Sequence, residues 1–535
     1  MSATAYDVIV IGAGANGLVA AARLGKAGLR VLLIERDETL GGQGRLMEFA
    51  PGFRAAPLGL DPGWLPPSVA RGLGLEGLAG GAGGAGAGIT VAVQPGTFLS
   101  LPHDTARAAE AIAVHSRADA EKWPVFTAQL RRLAGFLETL YQTPAPDISA
   151  SSLGELLPLV SLGRKFRALG SRDMVEFLRT LPLSVWELLD DWFECAPLKA
   201  AVAAGGIQDH QQGPRSGGTG FVLLHHLVGA PQGSVRGRVP WSGGPDAFTL
   251  AAERAARGAG VTIRTGAGVA RISVQDDVVT GVVLENGEEI AAPTVLSTTN
   301  PARTLLEWVD PVWFDPDFLL AVRNIRHRGC TAIVLYALEK LPEIPGLAST
   351  DALAGTVSLT PTVVALEKAA DAAKYGRVSE QPHVEISMPT LLWPDLATGG
   401  RHVLVARAQY APYRLREGGT WDGPRCDALA KSVTAAIEAV APCFTSRIAA
   451  QVTLSPRDLE ERFGLREGAA SQGELGLDQI LFMRPAAGWG GHTTPIPGLY
   501  LGGAGNHPGP GVLGGAGWLS AQRILGDRRH RQGTA

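Results

Sequence analysis

The chain has 535 residues, 45% of them hydrophobic, enough for at least two domains, consecutive or interleaved. Its 48 Lys and Arg against 51 Asp and Glu give a net charge of -3, which offers no basis for a nucleic-acid partner or a polybasic membrane anchor. Cys195, Cys330, Cys426 and Cys443 stand far apart without a C-x-x-C, so ordinary thiols are expected rather than a disulfide framework, a redox pair or a zinc site.

Residues 6–11 (YDVIVI) read as a buried parallel strand stopped by Gly12. A helix over 16–26, ended at Gly28, leads into a second strand over 30–34, making a β-α-β unit. At its first turn Gly12-Ala13-Gly14-Ala15-Asn16-Gly17 has the G-x-G-x-x-G spacing, and Glu35 closes the second strand. Gly12 permits the tight turn, Gly14 admits a pyrophosphate to the backbone, and Gly17 lets helix and strand pack. The helix N-terminus supplies amides and a positive dipole end, and Glu35 is placed to accept hydrogen bonds from ribose hydroxyls. The chain then turns at once through Arg36 to Gly41-Gly42, a loop of bare amides that favours FAD over a nicotinamide cofactor, with Arg45 as an added charge. No basic leader precedes Asp7, so no signal peptide and a cytoplasmic location are expected. No run of about 18 apolar residues predicts a membrane span, and peripheral membrane contact stays open.

After an irregular Gly/Pro-rich stretch to Pro67, residues 80–88 (GGAGGAGAG) form a low-complexity surface loop. Trp123, Phe126, Leu130, Leu133, Leu137 and Leu140 mark one face of an amphipathic helix over 123–141. Residues 153–193 are apolar helical segments with breaks expected at Pro158 and Pro182. Their late cluster of Trp186, Leu189, Trp192 and Phe193 reads either as a substrate wall or, more simply, as helix-helix core. A helix over 247–257 returns to a strand over 261–264. Strands over 269–274 and 278–284 then pair about Asp276-Asp277, and Glu285-Asn286-Gly287 turns the chain toward Ile290. Further strands are expected over 332–338, 403–408 and 499–501, and helices over 428–440 and 518–525. The basic residues 528–531 read as a solvated end.

Four stretches resemble one family. They are VIVIGAGANGLVAAARLGKAGLRVLLIERDETLGG, Pro51 to Phe53, GVTIRTGAGVARI, and LFMRPAAGWGGHTTPIPGLYLGGAGNHPGPGVLGGAG. Together they are similar to the phytoene desaturase-like flavoproteins of the amine oxidase-like FAD superfamily, in particular the phytoene dehydrogenase-like branch related to pyridine nucleotide-disulfide oxidoreductase domain proteins. The resemblance implies an α/β fold: a Rossmann-like doubly wound FAD-binding domain (1–75, 236–310, 476–530) with an interleaved α+β substrate domain (76–235, 311–475). It implies that the Val269 backbone meets the adenine and that residues 503–508 lie under the flavin ring. Gly503, Ala504, Gly505, Asn506, Gly511 and Val512 thereby join the expected cofactor set. The chain departs from the usual pattern at Gly502, Asn506, Pro510 and Gly244-Pro245, where Cys, Thr, Gly and Gly-Met are common.

The implied activity is that of an FAD-dependent oxidoreductase, a desaturase, dehydrogenase or oxidase that takes a hydride to flavin N5 from an apolar or amphipathic small molecule. His507 and His492 flank the flavin loop and are the candidate proton relays, against a structural role for each. His225, His226 and Trp241 are weaker candidates. The eleven histidines show no metal-ligand spacing. No second G-x-G-x-x-G follows a strand, so the electron acceptor is expected to be oxygen, a quinone or another membrane acceptor. A non-redox hydratase or isomerase and a non-catalytic flavoprotein scaffold are the alternatives.

Overall fold

The computed structural model describes residues 6–59, 63–80, 88–146, 153–231, 233–235 and 240–533. Val8–Ile11 and Val31–Ile34 are buried along their whole length, as strands covered on both faces must be. They form the middle of a five-stranded parallel sheet in the order Leu499–Leu501, Val295–Ser297, Val8–Ile11, Val31–Ile34, Thr262–Arg264. Alternation decides what covers each face. Val8, Val10, Val31 and Leu33 pack on the helices Ala15–Lys26, Ala247–Gly258 and Gly515–Gly533. Ile9, Ile11, Leu32 and Ile34 point the other way, onto a three-stranded antiparallel sheet of Val269–Gln275, Val278–Leu284 and Glu289–Ala291. Its first turn puts both Asp276 (φ 50) and Asp277 (φ 61) in the left-handed region, the geometry that suits a two-residue hairpin.

A second layer is a seven-stranded mixed sheet in the order Ile448–Leu454, Thr331–Leu338, His402–Gln409, His383–Ser387, Thr356–Ser358, Ile89–Gln94, Thr97–Leu101. One face packs Val334, Tyr336 and Leu404 on the helix Gly423–Glu438. The opposite face sets Ile333, Leu335 and Val405 against Phe53 and Ala55. Phe53 and Ala55 belong to a hairpin of Met47–Ala50 and Phe53–Ala55, inside the stretch expected to be irregular. The two sheets draw on alternating parts of the chain, so the fold is the interleaved α/β arrangement.

The helical layer is led by Arg117–Tyr141, in which all six residues of the apolar stripe are buried. It begins earlier than the stripe because the Ser116 side chain caps it, accepting from the Asp119 amide at 3.2 Å. Phe193 packs against Phe126 with ring centroids 4.8 Å apart and against Trp123 at 6.0 Å, so the late aromatic cluster is core. The break expected at Pro158 is a correction: the helix Leu153–Arg167 runs through it, since a proline in the second turn forfeits only one backbone bond. The break at Pro182 stands, the preceding helix being Gly170–Thr180. Most of the 80–88 stretch, residues 81–87, lies outside the described residues.

Candidate active site

The parallel strands end at a cleft with a volume of about 520 Å³. Gly12 turns the chain there at φ +93, its amide bonded to the Ile34 carbonyl at 2.8 Å. A Cβ on Gly17 would stand 1.8 Å from the Gly12 oxygen, so only glycine lets the helix start this close to the turn. Gly14 differs: a Cβ there meets nothing nearer than the Gly42 Cα at 4.0 Å, and the space it would enter is the cleft itself. Gly41 (φ +110) and Gly42 (φ +55) bring the following loop alongside, the Gly41 amide bonding the Ala13 carbonyl at 3.0 Å. The Glu35 carboxylate is fixed by the Ala13 amide at 2.7 Å and the Asp37 amide at 3.1 Å. A glycine cradle at a helix start with an oriented carboxylate beside it fits the adenosine diphosphate half of FAD.

Of the residues expected from sequence, Gly12, Gly14, Asn16, Glu35, Arg36, Gly41, Gly42, Val269, Ala504, Gly511 and Val512 line this cleft. Gly17, Gly503, Gly505 and Asn506 stand behind its wall. A Cβ on Gly503 would lie 2.5 Å from the Thr298 oxygen, and the Gly505 amide donates to Gln472 Oε1 at 3.2 Å. Asn16 also acts outward, accepting from the Gly517 amide at 3.1 Å and so tying the first helix to the last.

Arg45 is a correction. Its guanidinium is committed to the Asp37 carboxylate and the Arg462 carbonyl and lies 4.5 Å over the Phe463 ring, which removes it from the cleft wall. His492 and His507 are corrections too, because neither lines this cleft. Nδ1 of His492 meets the Leu501 carbonyl at 3.0 Å, and Nε2 of His507 meets the Thr143 carbonyl at 3.0 Å. Burial lowers His492 to about 3 and His507 to about 4, so both are neutral structural groups at ordinary pH.

Sequence reasoning missed Thr298. Its hydroxyl donates to the Ile11 and Gly12 carbonyls at 2.9 and 3.0 Å and fixes the turn from behind. The available signal was Ser297-Thr298-Thr299-Asn300 at the end of a parallel strand, where small polar residues face a ligand crevice.

Beyond the far end of the cleft, past Ala470, Pro510 and Gly511, is a second cavity of about 240 Å³ that shares those residues, Gln43, Leu58 and Gly63 with the first. Ile333, Ile386, Val405 and Trp393 give it apolar walls. Its polar end is Arg407, which donates to Asp209 and stands opposite Glu385 in the strand register. Asp209 also accepts from the Thr331 hydroxyl at 3.1 Å.

Comparison with known proteins agrees with this geometry. Residues 10–60 match the NAD(P)-binding Rossmann-like domain. The chain is 32% identical to pyridine nucleotide-disulfide oxidoreductase domain-containing protein 2 of Rattus norvegicus, over 98% of this chain and 94% of the relative. It is 23% identical to one of the subunits of limonene dehydrogenase from Castellaniella defragrans, over 97% and 94%. Among solved structures, cyclohexylamine oxidase from Brevibacterium oxydans has the same fold, with a TM-score of 0.56 at 14% identity over 98% of this chain and 99% of that one. The chain belongs to the family of pyridine nucleotide-disulfide oxidoreductase domain-containing protein 2 and is an FAD-dependent oxidoreductase.

Proposed function

We propose that this enzyme oxidises a small amphipathic molecule held in the second cavity, against the end of the cleft that receives the isoalloxazine ring. The observation that carries the reading is the shared wall: Gln43, Ala470, Pro510 and Gly511 border both spaces, so a molecule in one abuts a cofactor in the other. FAD, when bound, supplies the two-electron acceptor. Glu35 and the amides around Gly12 to Gly14 hold its adenosine diphosphate, which leaves the opposite end of the cleft for the ring.

The chain's own part is to select and orient. Ile333, Ile386, Val405 and Trp393 accept an apolar body, while Asp209, Arg407 and Glu385 offer charge-assisted hydrogen bonds to one polar head. A volume of about 240 Å³ suits a compact substrate and is too small to enclose a long polyene. The limonene dehydrogenase relative, named for a compact substrate, matches this chain over nearly its whole length, which is in keeping with that volume. Neither His492 nor His507 is assigned the proton relay, because neither lines the cofactor cleft or the second cavity. Oxygen, a quinone or another acceptor takes the electrons.

The test is anaerobic mixing of FAD-loaded enzyme with small alcohols, amines and terpenoids, alongside a long polyene. Bleaching of the flavin absorbance by members of the small set is expected. Bleaching by the polyene alone would overturn the reading.

A further inference from the structure

Among the described residues the largest fully buried charged side chain has no acid within ion-pairing distance. Arg484 is 0% exposed, and its guanidinium donates to four backbone carbonyls. Nη1 reaches Gly473 at 3.2 Å and Gln479 at 3.1 Å, and Nη2 reaches Ser471 at 2.9 Å and Ala504 at 3.1 Å. Nε has no hydrogen-bond partner. Among the described residues no carboxylate forms an ion pair with it, whereas the partly buried arginine of the site, Arg407, has Asp209. Burial lowers the guanidinium to about 10, so it keeps its charge at neutral pH. An isolated buried cation is costly unless something compensates it, and carbonyl dipoles do so only in part.

Its position says what the missing compensation is. Ala504 and Gly509 line the cofactor cleft, and Ser471 lines the second cavity. The guanidinium holds the carbonyls of Ala504 and Ser471, and a Cβ on Gly509 would lie 3.9 Å from its Cδ. It therefore sits one residue behind the wall where the two spaces meet.

We infer that Arg484 is a positioning residue whose fixed positive charge stabilises the reduced, anionic form of the bound flavin. Two electrons and one proton, the equivalent of one hydride, take the neutral oxidised ring to a singly negative reduced ring. With the ring in the cleft, a cation already buried behind its wall would favour the product of this step without reorganising. By linkage the same charge makes the protein bind reduced FAD more tightly than oxidised FAD, which raises the midpoint potential of the bound cofactor above that of free FAD. The inference rests on FAD occupying the cleft and is independent of which substrate the second cavity takes.

A redox titration against a dye of known potential tests it. The FAD-loaded wild type is expected to lie above free FAD. R484M is expected to lower the ratio of reduced to oxidised affinity at least tenfold, which is about 30 mV for a two-electron couple. R484K, which keeps the charge and loses the planar fork, is expected to hold most of the wild-type potential while binding FAD more weakly. A wild-type potential at or below that of free FAD overturns the inference even if no variant folds. Equal potentials for R484K and R484M also overturn it and leave Arg484 a loop clamp. A wild type that takes up no FAD at all sinks the cofactor reading instead, so the two failures are distinguishable.

Discussion

The Tyr141 hydroxyl lies 2.6 Å from Nδ1 of His225, whose Nε2 lies 2.9 Å from the Pro510 carbonyl. A carbonyl only accepts, so Nε2 carries the proton, and in the neutral ring Nδ1 then accepts from the tyrosine. Pro510 borders both cavities, so this pair anchors their shared wall to the helical layer. Tyr141→Phe is expected to leave Nδ1 buried without its donor and to cost about 1–2 kcal/mol, read as a lowered urea midpoint. An unchanged midpoint would mean that the wall is held by packing alone.

The two inner glycines of the cofactor turn are expected to fail differently. Gly17→Ala drives a Cβ into the Gly12 oxygen, so the turn itself is lost and the protein is expected to be both destabilised and colourless. Gly14→Ala has room in the protein and none beside a pyrophosphate. It is expected to keep the wild-type unfolding midpoint while FAD affinity, followed by flavin fluorescence, falls at least about tenfold, or roughly 1.4 kcal/mol.

Acid sensitivity follows from the buried histidines. Burial lowers His327 to about 4, His507 to about 4 and His492 to about 3, all below the 6.5 of an unfolded chain. Below that value the unfolded state binds more protons, so the stability present above about pH 6.5 is lost as pH falls toward about 4. At about pH 5 the loss is on the order of 2 kcal/mol per histidine. Urea midpoints measured at neutral pH and near pH 5 should show it, and His507→Gln should flatten the acid limb. A steeper limb in that variant would contradict this assignment.

Filling the second cavity separates substrate binding from cofactor binding. Ser387 lines that cavity and not the cofactor cleft. Ser387→Phe is expected to leave the FAD content of the purified enzyme unchanged and to slow substrate-dependent flavin bleaching at least about tenfold. Undiminished bleaching would place the reacting molecule elsewhere.

Much of the cofactor cleft was legible because its signals are local. Gly12, Gly14, Gly17 and Glu35 act through backbone geometry that one strand, one turn and one helix fix, and the paired aspartates at 276 and 277 announced their hairpin for the same reason. What escaped depends on partners distant in sequence. Arg45 looked available until Asp37 and Phe463 were seen to occupy it. His507 looked like a relay because sequence shows that it lies near the flavin loop and not that Thr143 lies at its other side. The seven-stranded sheet joins Ile89–Gln94 in parallel to Thr356–Ser358, a pairing across about half the chain that no periodicity reports. Arg484 carries no local sign of burial, since an arginine before a proline ordinarily reads as a solvated turn residue.

The bond from the Gly517 amide to the Asn16 side chain sets a clock on biosynthesis. The edge strand Leu499–Leu501 and the closing helix Gly515–Gly533 complete a sheet whose first strand emerges from the ribosome some 490 residues earlier. The dinucleotide pocket is therefore complete only once residues 499–533 have been made. A nascent polypeptide that stops short of residue 499 lacks both the edge strand and the helix that covers Val8, Val10, Val31 and Leu33, so assembly of this sheet waits on residues far along the chain.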